Sequence, residues 1–216
     1  MCNHYRDDPA WREATGDWSE IKIQPFDNSA PRPNTQSHLY PGRTGEIVIV
    51  EGDATVAAAA NWRLVPPWFK GSLKEHGRRF GGCNNARVEG IASNGVFKSS
   101  LKNRCLIPVG SIFEYAKEPG PDGKKIEYEF TPTMPGPLWV AGIFSRVNID
   151  GGPLTTYAMV MTKAGPDALS IGHERSPIFL PRDRMADWLN PANDPEDFAV
   201  SPQTGTFALR VAAKSP

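Results

Sequence analysis

Position, more than residue type, gives Cys2 its chemical interest. Once Met1 is removed, Cys2 is the N-terminal residue and carries an α-amine and a thiol on adjacent carbons. Both groups have reactive fractions near neutral pH. Together they condense with an aldehyde: the amine forms a Schiff base, and the thiol then closes a five-membered thiazolidine. No other residue type offers that pair. A cysteine that merely follows the start codon is the plain alternative, so the rest of the chain must decide.

Other residues carry chemistry of a less specific kind. Glu114 stands near the end of the apolar run from Arg104 to Tyr115. Desolvation there raises a carboxyl pKa and suits it to proton transfer, although an ordinary strand-end glutamate reads the same way. Asn85 offers both a donor and an acceptor, while Asn84-Asn85 as a pair reads first as a turn. His173 is an imidazole in a loop. Arg87 and Arg175 have planar guanidinium groups suited to phosphate, or to a surface ion pair. Trp68 and Phe69 follow Pro66-Pro67, where they stack on a base or pack inward. One of the two is expected in the core. Lys70, Lys74, Arg78, Arg79, Lys98 and Lys102 add positive charge, a pattern that usually marks a solvated face.

Several function classes are disfavoured. His4, His38, His76 and His173 and the three cysteines, at 2, 83 and 105, show no metal-ligand spacing. No disulfide framework, metal or cofactor is expected, and Cys83 and Cys105 read as buried apolar fillers. No glycine-rich loop of the phosphate-cradling type is present. Lys plus Arg number 24 and Asp plus Glu 24, for a net charge of zero. Bulk charge therefore does not hold this chain on nucleic acid, which leaves room for a local basic groove. No apolar run approaches ~18 residues, and the N-terminus lacks a signal-peptide core. A cytoplasmic protein with no membrane contact is expected.

The elements that must position these residues are mainly strands. The 20 Gly and 21 Pro argue for turns and extended segments. Asp8-Pro9 opens a short helix, with Trp11 and Trp18 facing inward from it and its exit. Residues 25–43 read as a long irregular segment ending at Tyr40-Pro41-Gly42. Glu46–Val50 and Thr55–Leu64 form a hairpin about Glu51-Gly52-Asp53. A short helix is expected around Val96–Leu101. Arg104–Tyr115 reads as one long strand, followed by strands at Lys125–Thr131, Leu138–Phe144, Leu154–Thr162 and Thr206–Ala212. Pro181–Leu189 has helical spacing, with Met185 and Leu189 on one face and Trp188 beside them. The fold class is α+β: a single domain over residues 1–216, mainly an antiparallel, curled or barrel-like sheet with short flanking helices.

Taken in order, the motifs resemble the SOS response-associated peptidase (SRAP) family. They are Met1-Cys2, Asn61-Trp62-Arg63-Leu64-Val65-Pro66-Pro67-Trp68, Asn85-Ala86-Arg87-Val88-Glu89, Arg104-Cys105-Leu106-Ile107-Pro108 through Phe113-Glu114-Tyr115, Ala141-Gly142-Ile143-Phe144, and His173-Glu174-Arg175-Ser176-Pro177. The resemblance runs from residue 2 to about residue 190. It implies a β-rich fold with a basic groove for single-stranded DNA, a thiazolidine cross-link between the N-terminal cysteine and a ring-opened abasic site, and self-removal of Met1. Carried onto this chain, it makes Cys2, Asn85, Glu114 and His173 the catalytic set. Arg6, Trp68, Phe69, Arg87 and Arg175 become the DNA-binding set. The partner is single-stranded DNA containing abasic sites, met by a monomer. Departures from the pattern are Asn3 for the usual Gly, Gly90 for a frequent Thr, and Ser111-Ile112-Phe113-Glu114-Tyr115 for a Gly-Phe-Tyr-Glu-Trp type strand. Gly172 also splits the family's Ile-His pair, a change that would shift His173.

Two rivals use the same residues. A cysteine peptidase acting on peptide substrates takes Cys2 as nucleophile and His173 as base, and needs no α-amine. A non-enzymatic DNA-binding module predicts fully reversible, salt-sensitive binding.

Overall fold

The computed structural model describes residues 2–7, 11, 23–24, 38–134 and 136–212. In chain order the elements are β1 (His4–Arg6), β2 (Ile23–Gln24), β3 (His38–Leu39), β4 (Thr44–Glu51), β5 (Ala54–Asn61), α1 (Leu73–Phe80), β6 (Asn85–Arg87), β7 (Arg104–Val109), β8 (Ser111–Tyr115), β9 (Glu127–Pro132), β10 (Leu138–Ile149), β11 (Gly152–Lys163), α2 (Pro166–Leu169), β12 (Arg175–Pro177), α3 (Met185–Leu189) and β13 (Phe207–Val211).

Five of these strands close a barrel. β5 pairs with β4, β4 with β7, β7 with β10 and β10 with β11, all antiparallel. The ring shuts where β11 meets β5 in parallel at Thr156 and Asn61. A second sheet, in the order β13-β9-β8-β1-β3, lies beside it. Closure removes edges that would otherwise offer unpaired backbone groups.

The central strands are buried on both faces, which is why they read as continuous apolar runs. Ile47 and Ile49 of β4 and Cys105 and Ile107 of β7 face one core, shared with Cys2, Tyr5 and Tyr157. Val48 and Leu106, between them, face the other, with Trp139, Trp188 and Met185. Trp11 packs edge-on against Trp139, with ring centroids 5.9 Å apart.

Several expectations need correction. Arg104–Tyr115 is not one strand. It breaks at Gly110, where the chain leaves the barrel for the second sheet, and the Gly110 N–H donates to the Arg6 carbonyl at 2.8 Å. The basic stretch after Pro66-Pro67 contains α1, closed at its start by a capping box between Ser72 and Glu75. The helix expected near Val96–Leu101 is a 3₁₀ turn at Lys98–Ser100. The Pro181–Leu189 helix is a 3₁₀ turn followed by α3, which buries Met185 and Trp188 fully and packs Leu189 partly buried against the same core. Cys83 is half-buried, not a core filler. Within the irregular segment, His38–Leu39 form β3, and residues 25–37 lie outside the described residues. The helix start at Asp8-Pro9 and Trp18 lie outside them as well.

Candidate functional site

Strand β1 aims the N-terminus. It pairs with β8 in the register His4 to Phe113, which brings the residues before His4 toward Glu114. His4 is clamped. Its Nδ1 lies 3.0 Å from Glu127 Oε1 and its Nε2 2.8 Å from His38 Nδ1. Its ring is stacked between Phe113 and Tyr40 at 4.0 and 4.3 Å. Burial lowers the His4 pKa, with Glu127 opposing. The next residue, Tyr5, meets Tyr157 hydroxyl to hydroxyl at 2.6 Å inside the core.

Cys2 is fully buried. Its thiol donates to the His4 carbonyl at 3.6 Å. Burial, and then the charge of Glu114, push the thiol pKa far up. The Cys2 carbonyl accepts from Asn85 Nδ2 at 2.5 Å and from Asn84 Nδ2 at 3.3 Å. Asn85 opens β6, which runs parallel to β11 with Asn85 opposite Met159, and Asn84 immediately precedes it. The turn that Asn-Asn suggests falls earlier, at Gly81-Gly82, and Cys83 follows it with a φ of 41°. The Asn84 carbonyl accepts the Trp62 Nε1–H at 2.9 Å, so the Asn61–Trp68 motif braces the Asn85–Glu89 motif. Asn85 Oδ1 is buried and has no hydrogen-bond partner among the described residues.

Glu114 on β8 is 8% exposed. Desolvation holds its carboxyl above the ordinary carboxylate range, against nearby positive charge that includes His173. His173 Nε2 is 3.7 Å from Glu114 Oε2. The same nitrogen is 2.5 Å from the Tyr115 carbonyl. A carbonyl only accepts, so Nε2 carries the hydrogen. With Gly172 before it, His173 reaches both Glu114 and the Tyr115 carbonyl. Gly172 sits at φ +85°, and a Cβ there would collide with Lys117 Cβ at 2.6 Å. The loop passes close to β8 because that side chain is missing.

Cys2, Asn85, Glu114 and His173 therefore gather from four separate stretches of chain. Beside them opens a cleft of about 450 Å³ lined by Asn3, His4, Tyr40, Phe113, Glu114, Tyr115, Lys117, Lys125, Glu127 and His173, among others. Asn84, His4, His38, Tyr40 and Glu127 were not among the residues the sequence singled out. Asn84 had one signal, its adjacency to Asn85. The others owe their places to sheet register.

The DNA-binding candidates are dispersed. Arg87 is exposed on β6, and its side chain makes no hydrogen bond or ion pair among the described residues. Arg175 is half-buried, with its Nη1 2.7 Å from both carboxylate oxygens of Glu89. This pair ties the Asn85–Glu89 motif to the His173–Pro177 motif. Arg6 points away to Glu129, at 2.8 Å. Trp68 is exposed, and its Nε1–H reaches the Gly95 carbonyl at 3.3 Å. Phe69 is the member of that pair packed inward, in a cluster with Val65, Val147 and Ile149. Trp68, Phe69, Lys70, Arg78 and Arg79 line a second cleft of about 580 Å³. Among the described residues, no group of three or more His, Cys, Asp or Glu is arranged to hold a metal ion. No described helix is long and apolar enough to cross a membrane.

Comparison with known proteins bears on this arrangement. The model of the SOS response associated peptidase (SRAP) family matches residues 1–211. The abasic site processing protein YoqW of Bacillus subtilis is 29% identical over 167 residues, 76% of this chain and 70% of that protein. The abasic site processing protein YoaM of the same organism is 29% identical over 183 residues, 83% of this chain and 72% of that protein. Among solved structures, a protein from Bordetella bronchiseptica matches with a TM-score of 0.76 at 22% identity, covering 98% of this chain and 100% of that one. A protein from Bacteroides thetaiotaomicron matches with a TM-score of 0.77 at 19% identity, covering 99% and 93%. At such identities the two structures bear on the fold alone.

Proposed function

The chain belongs to the SOS response associated peptidase family, and from that premise we propose that it recognises abasic sites in single-stranded DNA and captures them covalently through Cys2 once Met1 is gone. The observation that carries this reading is the convergence on Cys2. Its carbonyl is held by Asn85, while Glu114, with His173 at 3.7 Å, is close enough for its charge to raise the thiol pKa. Relatives that bear the name abasic site processing protein lend the substrate. The reading takes residues 1–216 as one domain acting as a cytoplasmic monomer.

The chemistry follows from the groups present. An abasic deoxyribose opens when its ring oxygen gains a proton and its hydroxyl at the same carbon loses one, leaving an aldehyde. Glu114, whose carboxyl pKa burial raises, is the donor to the ring oxygen. The Cys2 amine then adds to the aldehyde carbon, and water leaves as the imine forms. Cys2 Sγ adds to the imine carbon and the nitrogen takes up a proton, closing the thiazolidine. Water is the one leaving group, and nothing is oxidised or reduced. The buried thiol carries little thiolate at rest, so the base generated when Glu114 gives up its proton is the natural acceptor for the thiol proton. The unpartnered Oδ1 of Asn85 is suited to accept from the freed amine.

A cysteine peptidase of the Cys-His kind is less well served. Such enzymes lower the thiol pKa beside an imidazole. Here burial raises it, and the thiol is bonded to the His4 carbonyl rather than to His173.

The test is a denaturing gel. Met-processed protein is mixed with a single-stranded oligonucleotide carrying one abasic site, beside an undamaged strand and a Cys2→Ala variant. The expected result is a band that survives heat and detergent with the abasic strand and intact Cys2 alone. No such band from protein shown by mass spectrometry to lack Met1 sinks the proposal.

A further inference from the structure

The orientation of one exposed amide follows from hydrogen-bond logic. Asn84 Nδ2 lies 3.3 Å from the Cys2 carbonyl oxygen and 3.0 Å from Asn3 Oδ1. The carbonyl can only accept, so the Asn84 atom facing it is the NH₂ group. The Asn3 atom facing that NH₂ is therefore its oxygen. The NH₂ of Asn3 is turned to the other side and has no hydrogen-bond partner among the described residues.

Asn3 is exposed and lines the same cleft as Glu114 and His173. Asn84 cannot easily yield. It is buried, and its backbone carbonyl holds both the Trp62 Nε1–H and the Met159 N–H at 2.9 Å. The fold therefore spends a buried asparagine on aiming an exposed one. Donation to the Cys2 carbonyl alone would not need Asn84, since Asn85 already donates to that carbonyl.

We infer that Asn3 is a further binding residue of the cleft, donating a hydrogen bond to an oxygen of the deoxyribose-phosphate at the lesion, and that Asn84 is the positioning residue that sets its direction. This rests on the reading of the cleft as an abasic-site pocket. It places a neutral donor beside the acid, where a sugar hydroxyl or a phosphate oxygen lacks a partner once water is excluded.

The test turns on Asn3→Asp, set beside Asn3→Ala. Aspartate keeps an oxygen for Asn84 to donate to, but it replaces the outward NH₂ with an acceptor. Cross-linking rates are measured with Met-processed protein and an abasic strand. Asn3→Ala is expected to slow the reaction several-fold, and Asn3→Asp roughly tenfold or more. An Asp variant as fast as wild type overturns the proposal, because the role is then only to accept from Asn84. An Ala variant as fast as wild type also overturns it, because the Asp effect is then charge repulsion from DNA.

Affinity for a strand carrying tetrahydrofuran, a closed-ring abasic analogue, separates the two oxygen sources. A loss of affinity in Asn3→Ala identifies a phosphate, and unchanged affinity with slower cross-linking identifies the hydroxyl freed by ring opening. Asn84→Leu removes the aim. In that background Asn3→Ala is expected to add little further loss, whereas a full additive loss overturns the positioning role. Melting curves of each variant separate misfolding from lost chemistry. Wild-type protein that binds and cross-links neither strand overturns the abasic-site reading and this one together; a normal wild-type adduct with unaffected Asn3 variants overturns this one alone.

Discussion

Two buried carboxylates on neighbouring strands of the same sheet receive opposite treatment. Glu114 on β8 is 8% exposed and Glu129 on β9 is 5% exposed. Burial alone pushes both pKa values up. Glu129 is pulled back below the ordinary carboxylate range by the Ser111 hydroxyl at 2.8 Å, Arg210 at 2.8 and 2.9 Å, and Arg6 at 2.8 Å. Glu114 has an imidazole at 3.7 Å in place of two guanidinium groups, and stays raised. Similar solvent exposure thus accompanies a carboxylate favoured in its charged form, which knits strands together, and a carboxyl whose pKa stays raised. What separates structure from chemistry here is the set of partners together with the stronger desolvation of Glu114.

That contrast can be broken or sharpened by substitution. The largest effect is expected at the thiol both readings of the cleft depend on: Cys2→Ser should retain strand binding in a mobility-shift assay and lose the heat-stable adduct altogether. Glu114→Gln should slow adduct formation about 10²–10⁴-fold, the range for removing a general acid. In the wild type the rate should fall as pH rises through the raised Glu114 pKa. Stability moves the other way. A carboxyl with a raised folded pKa favours the protonated fold, so it contributes less as pH climbs above the ordinary carboxylate range. The melting temperature of Glu114→Gln should therefore be no lower than wild type at neutral pH, with the two converging in acid. A lower value would mean that Glu114 is structural after all.

Glu129→Gln is the mirror experiment. It should cost roughly 1–3 kcal/mol in denaturant unfolding, while the adduct rate at low temperature stays near wild type. Because the folded pKa of Glu129 is depressed, its contribution is fully present above the unfolded carboxylate value. It is lost as pH falls through the lower folded one, so the gap between variant and wild type should close in acid. Arg6→Gln is the smallest change. The Arg6 side chain is 36% exposed, and such a pair is worth about 0–1 kcal/mol. If Arg6→Gln instead weakens strand binding tenfold without moving the unfolding curve, Arg6 belongs to the DNA surface and the contrast with Glu114 weakens.

Local patterns carried much of the fold in the sequence. The β4–β5 hairpin is legible because an apolar run, a Gly52-Asp53 turn and a second run are all contiguous. The long pairing of β10 with β11 follows from similar cues. The break at Gly110 is not legible, because nothing in Val109-Gly110-Ser111 states that the next strand joins another sheet. Helix α1 is announced by the capping pattern of Ser72-Leu73-Lys74-Glu75, but the surrounding charge of Lys70, Lys74, Arg78 and Arg79 hides its apolar face. Asn85 stands out by its residue type, but its place on a strand is hidden. The parallel partner β11 lies far along the chain, and the turn falls at Gly81-Gly82 rather than at the asparagine pair. The hydrogen bond from Asn85 to Cys2 spans 83 residues, and no short-range pattern encodes such a contact.

The ion pair between Arg175 and Glu89 has a consequence for how a bound strand would respond to salt. A phosphate settling on Arg87, which meets no carboxylate among the described residues, frees a condensed cation from the nucleic acid. Each such contact on a single strand steepens the fall of log affinity with log salt by about 0.7. Arg175 arrives with a counterion built in. A phosphate must displace Glu89, and the freed carboxylate then recruits a cation from solution, so the net release is smaller. Two arginines of the same charge should therefore leave different marks on a salt titration: Arg87→Ala flattens the slope, while Arg175→Ala weakens binding and leaves the slope closer to wild type.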